Sequence, residues 1–571
     1  MLALILALLA VGILLRLISY QLFQWGRSSA LDAAPAPLSP RGTIVDRNGI
    51  VLAADRYFYS LSVTSNHLET DEERRALAQE LESLIGLPAN RTFDLLSKWP
   101  DLNYLELAKE VPLEQGQRIL DRQRELQDAR EFSPVNEVDV SPAPKRYYPQ
   151  HQLASHTLGF VNSERDGFYG VESYYDSWLP QGGSASFAIG AQQGLEALSP
   201  AVRRHLPSHA GKDLVLTIDA SIQWIVEDEL RKGLEKYKAQ RGTVIAIEPQ
   251  TGAILAMASL PNYDPNRYSD SPFEAYLDPA VSEQYEPGSV YKIITMAAGL
   301  DSGVMTPTMV FSDTGVIAVG SRVIFNSQRV GYGRITAVEA FARSLNVVTA
   351  QVALLVGERS FYDYVRRFGF GSPTNVDLAG EVPGALKTPG LETWSLSDLG
   401  TNSFGQGLAV TPLQMVNALA SIANGGRLMR PYVVQARVED DKVLVTEPTV
   451  LNQTMTPEHA KELTEMMVQV VDIGNKAALV EGYTVAGKSG TAQIPTRGGY
   501  LEDEVIASFV GFAPAQDPAF ALLIKLERPD PEITQWASNN AAPMFAQMSK
   551  RILEYMNIPP DAMRLGSVAG Q

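Results

Sequence analysis

Three short motifs, widely separated along the chain, make chemical sense only if the fold brings them to one place. Ser289-Val290-Tyr291-Lys292 follows Glu286-Pro287-Gly288 and offers a hydroxyl and an amine one helical turn apart. Ser344-Leu345-Asn346 comes next, then Lys488-Ser489-Gly490-Thr491. Taken singly, they are a helix start, a helix cap and a strand end, because patterns this short arise by chance in a chain of 571 residues. Ser538-Asn539-Asn540 also fits Ser-x-Asn, but it follows the Lys-Ser-Gly stretch, where order excludes it. Order and local setting together carry the reading.

Composition narrows the field. The net charge of −17 argues against a nucleic-acid partner, since a phosphate-binding face needs clustered Lys and Arg. With no cysteine, a disulfide scaffold, a Cys nucleophile and thiolate metal sites are excluded. His205 and His209 sit four apart, but Pro207 breaks the helix that would place them on one face. No His-Glu-x-x-His pattern or carboxylate cluster supports a metal there.

Leu2 to Leu15 is an unbroken apolar run, continued past Arg16 by Leu17, Ile18, Tyr20, Leu22, Phe23 and Trp25. Residues 1–25 read as a membrane signal anchor, with Arg16 snorkelling and Tyr20 and Trp25 at an interface. A cleaved signal ending near Ala30 is the alternative. Residues 26–40, rich in Ala, Ser and Pro, read as a linker.

From residue 41 to 210 a mixed α/β region is expected. Thr70 and Glu73 form a capping box ahead of Leu77, Leu81, Leu84 and Ile85, with Gly86 and Pro88 ending that helix. Pro112 to Phe132 reads as a charged, solvated helix. The texture changes at residue 211, opening a domain that runs to 571. Asp213–Asp219 reads as a strand entering a helix at Ala220, and Thr243–Ile247 and Ala253–Ala258 as a hairpin. After a long, mostly helical middle come strands over Tyr483–Ala492, Ile506–Phe512 and Phe520–Leu526, and a closing helix over Ala541–Met556. Strands at both ends of a helical insert predict an α+β domain, one antiparallel sheet covered by helices.

The chemistry follows from the residue types. A serine attacks an acyl group only if something takes its proton. Ser289, near a helix start, sits where the dipole favours developing negative charge, and Lys292 shares its face. Lysine serves as base only when burial or a second cation depresses its pKa, and Lys488 is the candidate cation. Ser344 offers a hydroxyl relay and Asn346 an amide for a substrate backbone. Lys488-Ser489-Gly490-Thr491 reads as a strand edge on which an extended peptide adds, Gly490 allowing close approach. The backbone N–H groups of Ser289 and Thr491 are candidates for an oxyanion hole.

At this point the sequence resembles the class B (monofunctional) penicillin-binding proteins, and the likeness extends along nearly the whole chain. Arg41-Gly-Thr-Ile-Val-Asp-Arg-Asn-Gly49 and Gly170-Val-Glu-Ser-Tyr-Tyr175 look like motifs of that family's non-catalytic pedestal. Leu214–Gln223, Glu283–Lys292, Phe404-Gly-Gln-Gly407, Thr411-Pro-Leu-Gln414 and Gly487–Gln493 are similar to its transpeptidase domain. The resemblance implies a membrane anchor, an elongated pedestal and a C-terminal serine transpeptidase domain of β-lactamase-like fold. It further implies Ser289 as acylated nucleophile, Lys292 as base, Ser344 and Asn346 as second motif, and Lys488, Ser489 and Thr491 holding a terminal D-Ala carboxylate. Expected partners are peptidoglycan stem peptides on lipid-linked glycan strands, β-lactams, the membrane and a polytopic glycosyltransferase of the SEDS class. No metal or cofactor is implied. The expected placement is a single pass in the cytoplasmic membrane with the catalytic domain outside it, an orientation resting on the resemblance because no basic residue precedes the apolar run. Ser344–Val348 and Phe368-Gly-Phe-Gly371 lean to the division-type branch. The alternatives are a D,D-carboxypeptidase or β-lactamase passing the acyl group to water, or a non-catalytic β-lactam sensor or scaffold.

Overall fold

The computed structural model describes residues 41–180, 212–439, 442–496 and 498–566. The expected anchor, the linker and the His205/His209 pair lie outside the described residues. Among those described, no helix is long and apolar enough to cross a membrane.

The described chain divides into two compact units, the smaller made of Arg41 and Asp55–Tyr147. In it the strand Leu105–Val111 and the strand Val138–Tyr147 each pair with the strand Val51–Val63. The helix Asp71–Ile85 starts on the expected capping box, Thr70 Oγ1 accepting from Glu73 N, and ends at Gly86 with φ 73°. Leu61, Leu77, Leu81, Leu96, Ile119 and Leu126 close one core. The charged helix is therefore not solvated all round. Leu113–Ala129 buries Gly116, Ile119 and Leu126, and a Cβ on Gly116 would stand 2.2 Å from the Tyr59 ring. Three small or apolar residues at helical spacing suffice for a packed stripe, however charged the rest.

The larger unit joins Gly42–Ala54 to the chain from Tyr148 onward. Gly42–Ala54 is wired in by polar contacts. Ile44–Val45 pairs in parallel with Lys212–Leu216, Thr43 N donates to Asp213 Oδ1 at 2.6 Å, and Ala220 N donates to Asp46 Oδ2 at 3.0 Å. Its centre is an antiparallel sheet of β1 (Arg241–Ile247), β2 (Ile254–Leu260), β7 (Ala486–Thr496), β8 (Gly499–Ala513) and β9 (Phe520–Glu527), ordered β7-β8-β9-β1-β2. Every residue of β9 from Phe520 to Leu526 is buried, Lys525 among them, as in a strand covered on both faces.

On one face Val244, Phe509, Leu522 and Ile524 meet α1 (Ala220–Tyr237) and α6 (Ala541–Tyr555). On the other, Ile245, Val510, Phe512 and Leu523 join the larger core, which includes α2 (Lys292–Asp301), α4 (Pro412–Ala423) and α5 (Pro457–Gly474). The expected sheet covered by helices is present. Two features differ from expectation. The β7–β8 hairpin runs well past its apolar section, pairing Pro495 with Tyr500. The middle is not wholly helical: β3 (Val310–Asp313) pairs with β6 (Gly333–Thr336), and β4 (Val316–Val319) with β5 (Arg322–Phe325). These short strands form a flap ahead of α3 (Asn346–Val356).

Phe509 is fully buried and packs on Phe545 with ring centroids 4.8 Å apart. Phe509→Ala should therefore destabilise the larger unit by about 3–5 kcal/mol, read by denaturant unfolding. A loss under about 1 kcal/mol would show that this face collapses around the cavity.

Candidate active site

Gly288–Tyr291 forms a 3-10 turn that runs directly into α2, so Ser289 precedes the helix and Lys292 opens it. The turn is made possible by glycines. Gly288 has φ 58°, and its N–H donates to Gly405 O at 3.0 Å. A Cβ on Gly405 would lie 2.3 Å from Gly288 O, and one on Gly490 would lie 2.9 Å from Val290 Cγ1. The Ser289 turn is thus clamped between the Phe404–Gly407 loop and β7, with no room for a side chain on either side.

Lys292 is fully buried; its Nζ donates to Ser344 Oγ at 3.1 Å and to Ser344 O. Lys488, 1 % exposed, donates to the same Oγ at 3.1 Å and to Ser489 O at 2.8 Å. One hydroxyl therefore bridges two lysines from separate motifs. Ser344 holds this place with φ 59°, a left-handed conformation rare for a residue with a Cβ. Ser344 N donates to Phe341 O at 3.0 Å and Leu345 N to Ala340 O at 2.9 Å, which fix that turn.

Burial pushes the Lys292 ammonium well below the ordinary lysine range, and the charge of Lys488 adds in the same direction. Burial alone brings Lys488 down to about 7. Ser289 is half-buried, and among the described residues its hydroxyl has no hydrogen-bond partner.

The other expected residues divide. Gly490 lies against the Ser289 turn, while half-buried Ser489 and Thr491 alternate with it along β7, an edge strand. Thr491 Oγ1 accepts from Ala537 N at 3.1 Å, so the segment before α6 holds that side chain. Asn346 stands outside the Lys–Ser–Lys trio. Its Nδ2 donates to Phe325 O at 2.9 Å and tethers α3 to the flap.

Sequence reasoning missed Glu286 as a site residue. Its Oε1 accepts from Gly407 N and its Oε2 from the Tyr500 hydroxyl, both at 3.1 Å, tying the Ser289 turn to the Phe404–Gly407 loop and to the start of β8. Burial raises the pKa of this carboxyl. Its position three residues before Ser289 was a signal available in the sequence; Tyr500, in a polar hairpin, gave none. The same loop explains Thr411-Pro-Leu-Gln414, where Gln414 N donates to Thr411 Oγ1 at 3.1 Å in a capping box at the start of α4.

Comparison with known proteins places this geometry. The model of the penicillin-binding protein transpeptidase domain matches residues 242–550, and that of the penicillin-binding protein dimerisation domain matches 37–216. Stage V sporulation protein D of Bacillus subtilis is 31% identical over 92% of this chain and 80% of its own. Peptidoglycan D,D-transpeptidase FtsI of Escherichia coli is 28% identical over 92% and 85%. The crystal structure of penicillin binding protein 3 from Mycobacterium tuberculosis complexed with aztreonam is similar at TM-score 0.69 and 25% identity, covering 92% of this chain and 98% of that one.

Gly405→Ala forces a Cβ into the Gly288 backbone at φ 82°. Backbone strain alone should cost roughly 1–3 kcal/mol, lowering Tm and slowing acylation of Ser289 together. An alanine variant with wild-type Tm and wild-type acylation would show that the clamp is dispensable.

Proposed function

The chain belongs to the class B penicillin-binding proteins, and from that premise we propose that Ser289 is its acylated nucleophile and Lys292 the base that activates it. It is a serine-type peptidoglycan D,D-transpeptidase of the division-type group. The observation that carries the assignment of roles is the Ser344 hydroxyl bridging buried Lys292 and Lys488, one turn from a half-buried serine with a free hydroxyl among the described residues.

The steps follow from the groups present. Neutral Lys292 takes the Ser289 proton as Oγ attacks the penultimate D-Ala carbonyl, and the negative charge forming on oxygen is held by the N–H groups of Ser289 and Thr491. The carbonyl–nitrogen bond breaks, the leaving D-alanine takes a proton through Ser344, and a serine ester remains. An amine from a second stem peptide then attacks the ester, passes its proton back, and releases Ser289. Lys488, as a cation, attracts the donor's terminal carboxylate, with the Ser489 and Thr491 hydroxyls beside it and Gly490 permitting strand addition along β7. Asn346 orients the peptide backbone from the flap side. A β-lactam presents the same carboxylate and acyl carbon and stays on Ser289 as a slow ester.

The family likeness further supports residues 1–25 as a single-pass anchor in the cytoplasmic membrane, 26–40 as linker, 41–210 as an elongated pedestal and 211–571 as the catalytic domain facing outward. A SEDS-class glycosyltransferase completes the proposed assembly by supplying the glycan strands.

Purified protein incubated with a fluorescent penicillin should take covalent label, and Ser289→Ala should take none. Folded wild-type protein that stays unlabelled would defeat the assignment. Lys292→Met should slow labelling by about 10²–10⁴-fold, the range of a lost general base.

The pH profile follows from the two lysines. The depressed pKa of Lys292 means its neutral form grows as pH rises, so acylation climbs on the acid side. Lys488 loses its cation above about 7, so acylation by a carboxylate-bearing substrate declines on the alkaline side. Lys488→Arg, charged throughout, should remove the descending limb. A wild-type rate still climbing at pH 9 would take the Lys488 charge out of the reaction.

A further inference from the structure

We propose that a strip of arginines held on aromatic rings, on the flap beside Ser344 and Asn346, binds a carboxylate of the peptide that accepts the acyl group. The inference rests on the transpeptidase reading above and extends it to the second substrate.

Arg322, Arg329 and Arg334 in the flap, and Arg343 at the end of the helix Ala337–Ala342 that follows it, are all exposed, in a chain whose net charge is −17. Arg329 lies 5.1 Å over the Phe325 ring and Arg343 5.1 Å over the Tyr332 ring. None of the four makes an ion pair among the described residues. The carboxylates whose fields reach them are engaged elsewhere. Glu339 accepts from Thr336 N and Oγ1, and Glu286 accepts from Gly407 and Tyr500. Asp313 is 2 % exposed and saturated by Asn326 Nδ2, Gly315 N and Tyr332 N.

That buried aspartate makes the strip rigid. Asn326 Nδ2 bonds both Asp313 oxygens at 2.9 Å and Val330 O at 3.0 Å, while its Oδ1 accepts from Val347 N at 3.1 Å. The loop bearing Arg329 and Tyr332 is thereby fixed to the start of α3, as Phe325 is through Asn346. Arg343 directly precedes Ser344. Cations without ion pairs, two of them oriented by ring stacking on a fixed frame, suit the planar carboxylate fork.

Acyl transfer brings two peptides to Ser289 in turn, and each ends in a carboxylate. The donor's departs with D-alanine once the ester has formed, and the acceptor's amine must enter the space it vacates beside Lys488. An acceptor whose attacking amine is on a side chain carries its own carboxylate to one side of that space, and the flap supplies cations without ion pairs next to the second motif.

The test uses the full chain, a thioester acyl donor, and a synthetic peptide bearing a primary side-chain amine, prepared with a free C-terminal carboxylate and as the carboxamide. With wild type, the acceptor KM for the carboxylate peptide should be at least fivefold below that for the carboxamide. In Arg329→Gln and Arg343→Gln that advantage should shrink towards one, with the carboxamide KM unmoved, and the transfer-to-hydrolysis ratio should fall for the carboxylate peptide only. Equal KM values for the two peptides with wild type, or equal losses with both in the variants, would overturn the proposal. Selective competition by inorganic pyrophosphate, with no discrimination between the peptides, would assign the strip to phosphate and also overturn it. Fluorescent penicillin separates the two readings. Unlabelled wild type sinks the transpeptidase assignment, whereas labelled wild type without acceptor discrimination sinks the flap proposal alone.

Discussion

Two buried lysines sharing one serine hydroxyl set the terms for the rest of the site. Each Nζ is 3.1 Å from Ser344 Oγ, so the two nitrogens are at most the sum of those legs apart. Two full charges at such a distance repel by roughly 3 kcal/mol at an effective dielectric of 20. Burial penalises both cations as well. Both effects depress the Lys292 ammonium, burial first and its neighbour second, while burial alone depresses that of Lys488. The arrangement suits the proposed base, which needs neither a histidine nor a carboxylate. The arrangement works only while Ser344 stays in its left-handed turn, because that conformation aims both its Oγ and its carbonyl at Lys292.

Close approach of backbones makes this convergence possible. Three glycines at the Ser289 turn leave no space for a Cβ: Gly288 against Ala492, Gly405 against Gly288 and Gly490 against Val290. The contacts draw in three segments that are far apart in sequence, namely the turn before α2, the loop before α4, and β7. Glu286 adds polar ties from the same turn to Gly407 and Tyr500. Packing sets the distance between these segments and the carboxylate holds their orientation, so Ser289 sits on a rigid turn with its hydroxyl left uncommitted among the described residues.

The Lys–Ser–Lys trio was legible because the chemistry proposed for it needs particular side chains in a particular order. The sheet was legible for a different reason: β1, β2 and β9 are buried over nearly their whole length and read as short, mostly apolar runs bounded by turns. The flap was not. Its strands are four residues long, with one or two buried positions each, too short for a period-2 signal to rise above the surrounding helices. The far end of the β7–β8 hairpin failed the same way, since exposed polar residues there are held by cross-strand pairing and not by a core. Asn346 was identified by motif, but its tether to Phe325 O could not be foreseen without the flap. The helix Leu113–Ala129 was misjudged on charge density, where three residues on one face decided the matter.

The division between legible and illegible parts has a physical meaning. Strain and desolvation at Ser344, Lys292 and Lys488 oppose folding, and they persist because a sheet packed on both faces surrounds them. Changes there disturb stability and chemistry together, so the nucleophile side of the site has little freedom. The flap carries no such burden. Its frame depends on one buried aspartate and one asparagine, while its outer face carries exposed arginines, two of them lying over aromatic rings. Side chains on that face can be exchanged without opening a cavity or stranding a buried charge. A transpeptidase that must keep one donor chemistry while meeting different acceptor peptides has reason to place donor recognition on the rigid strand edge and acceptor recognition on the flap.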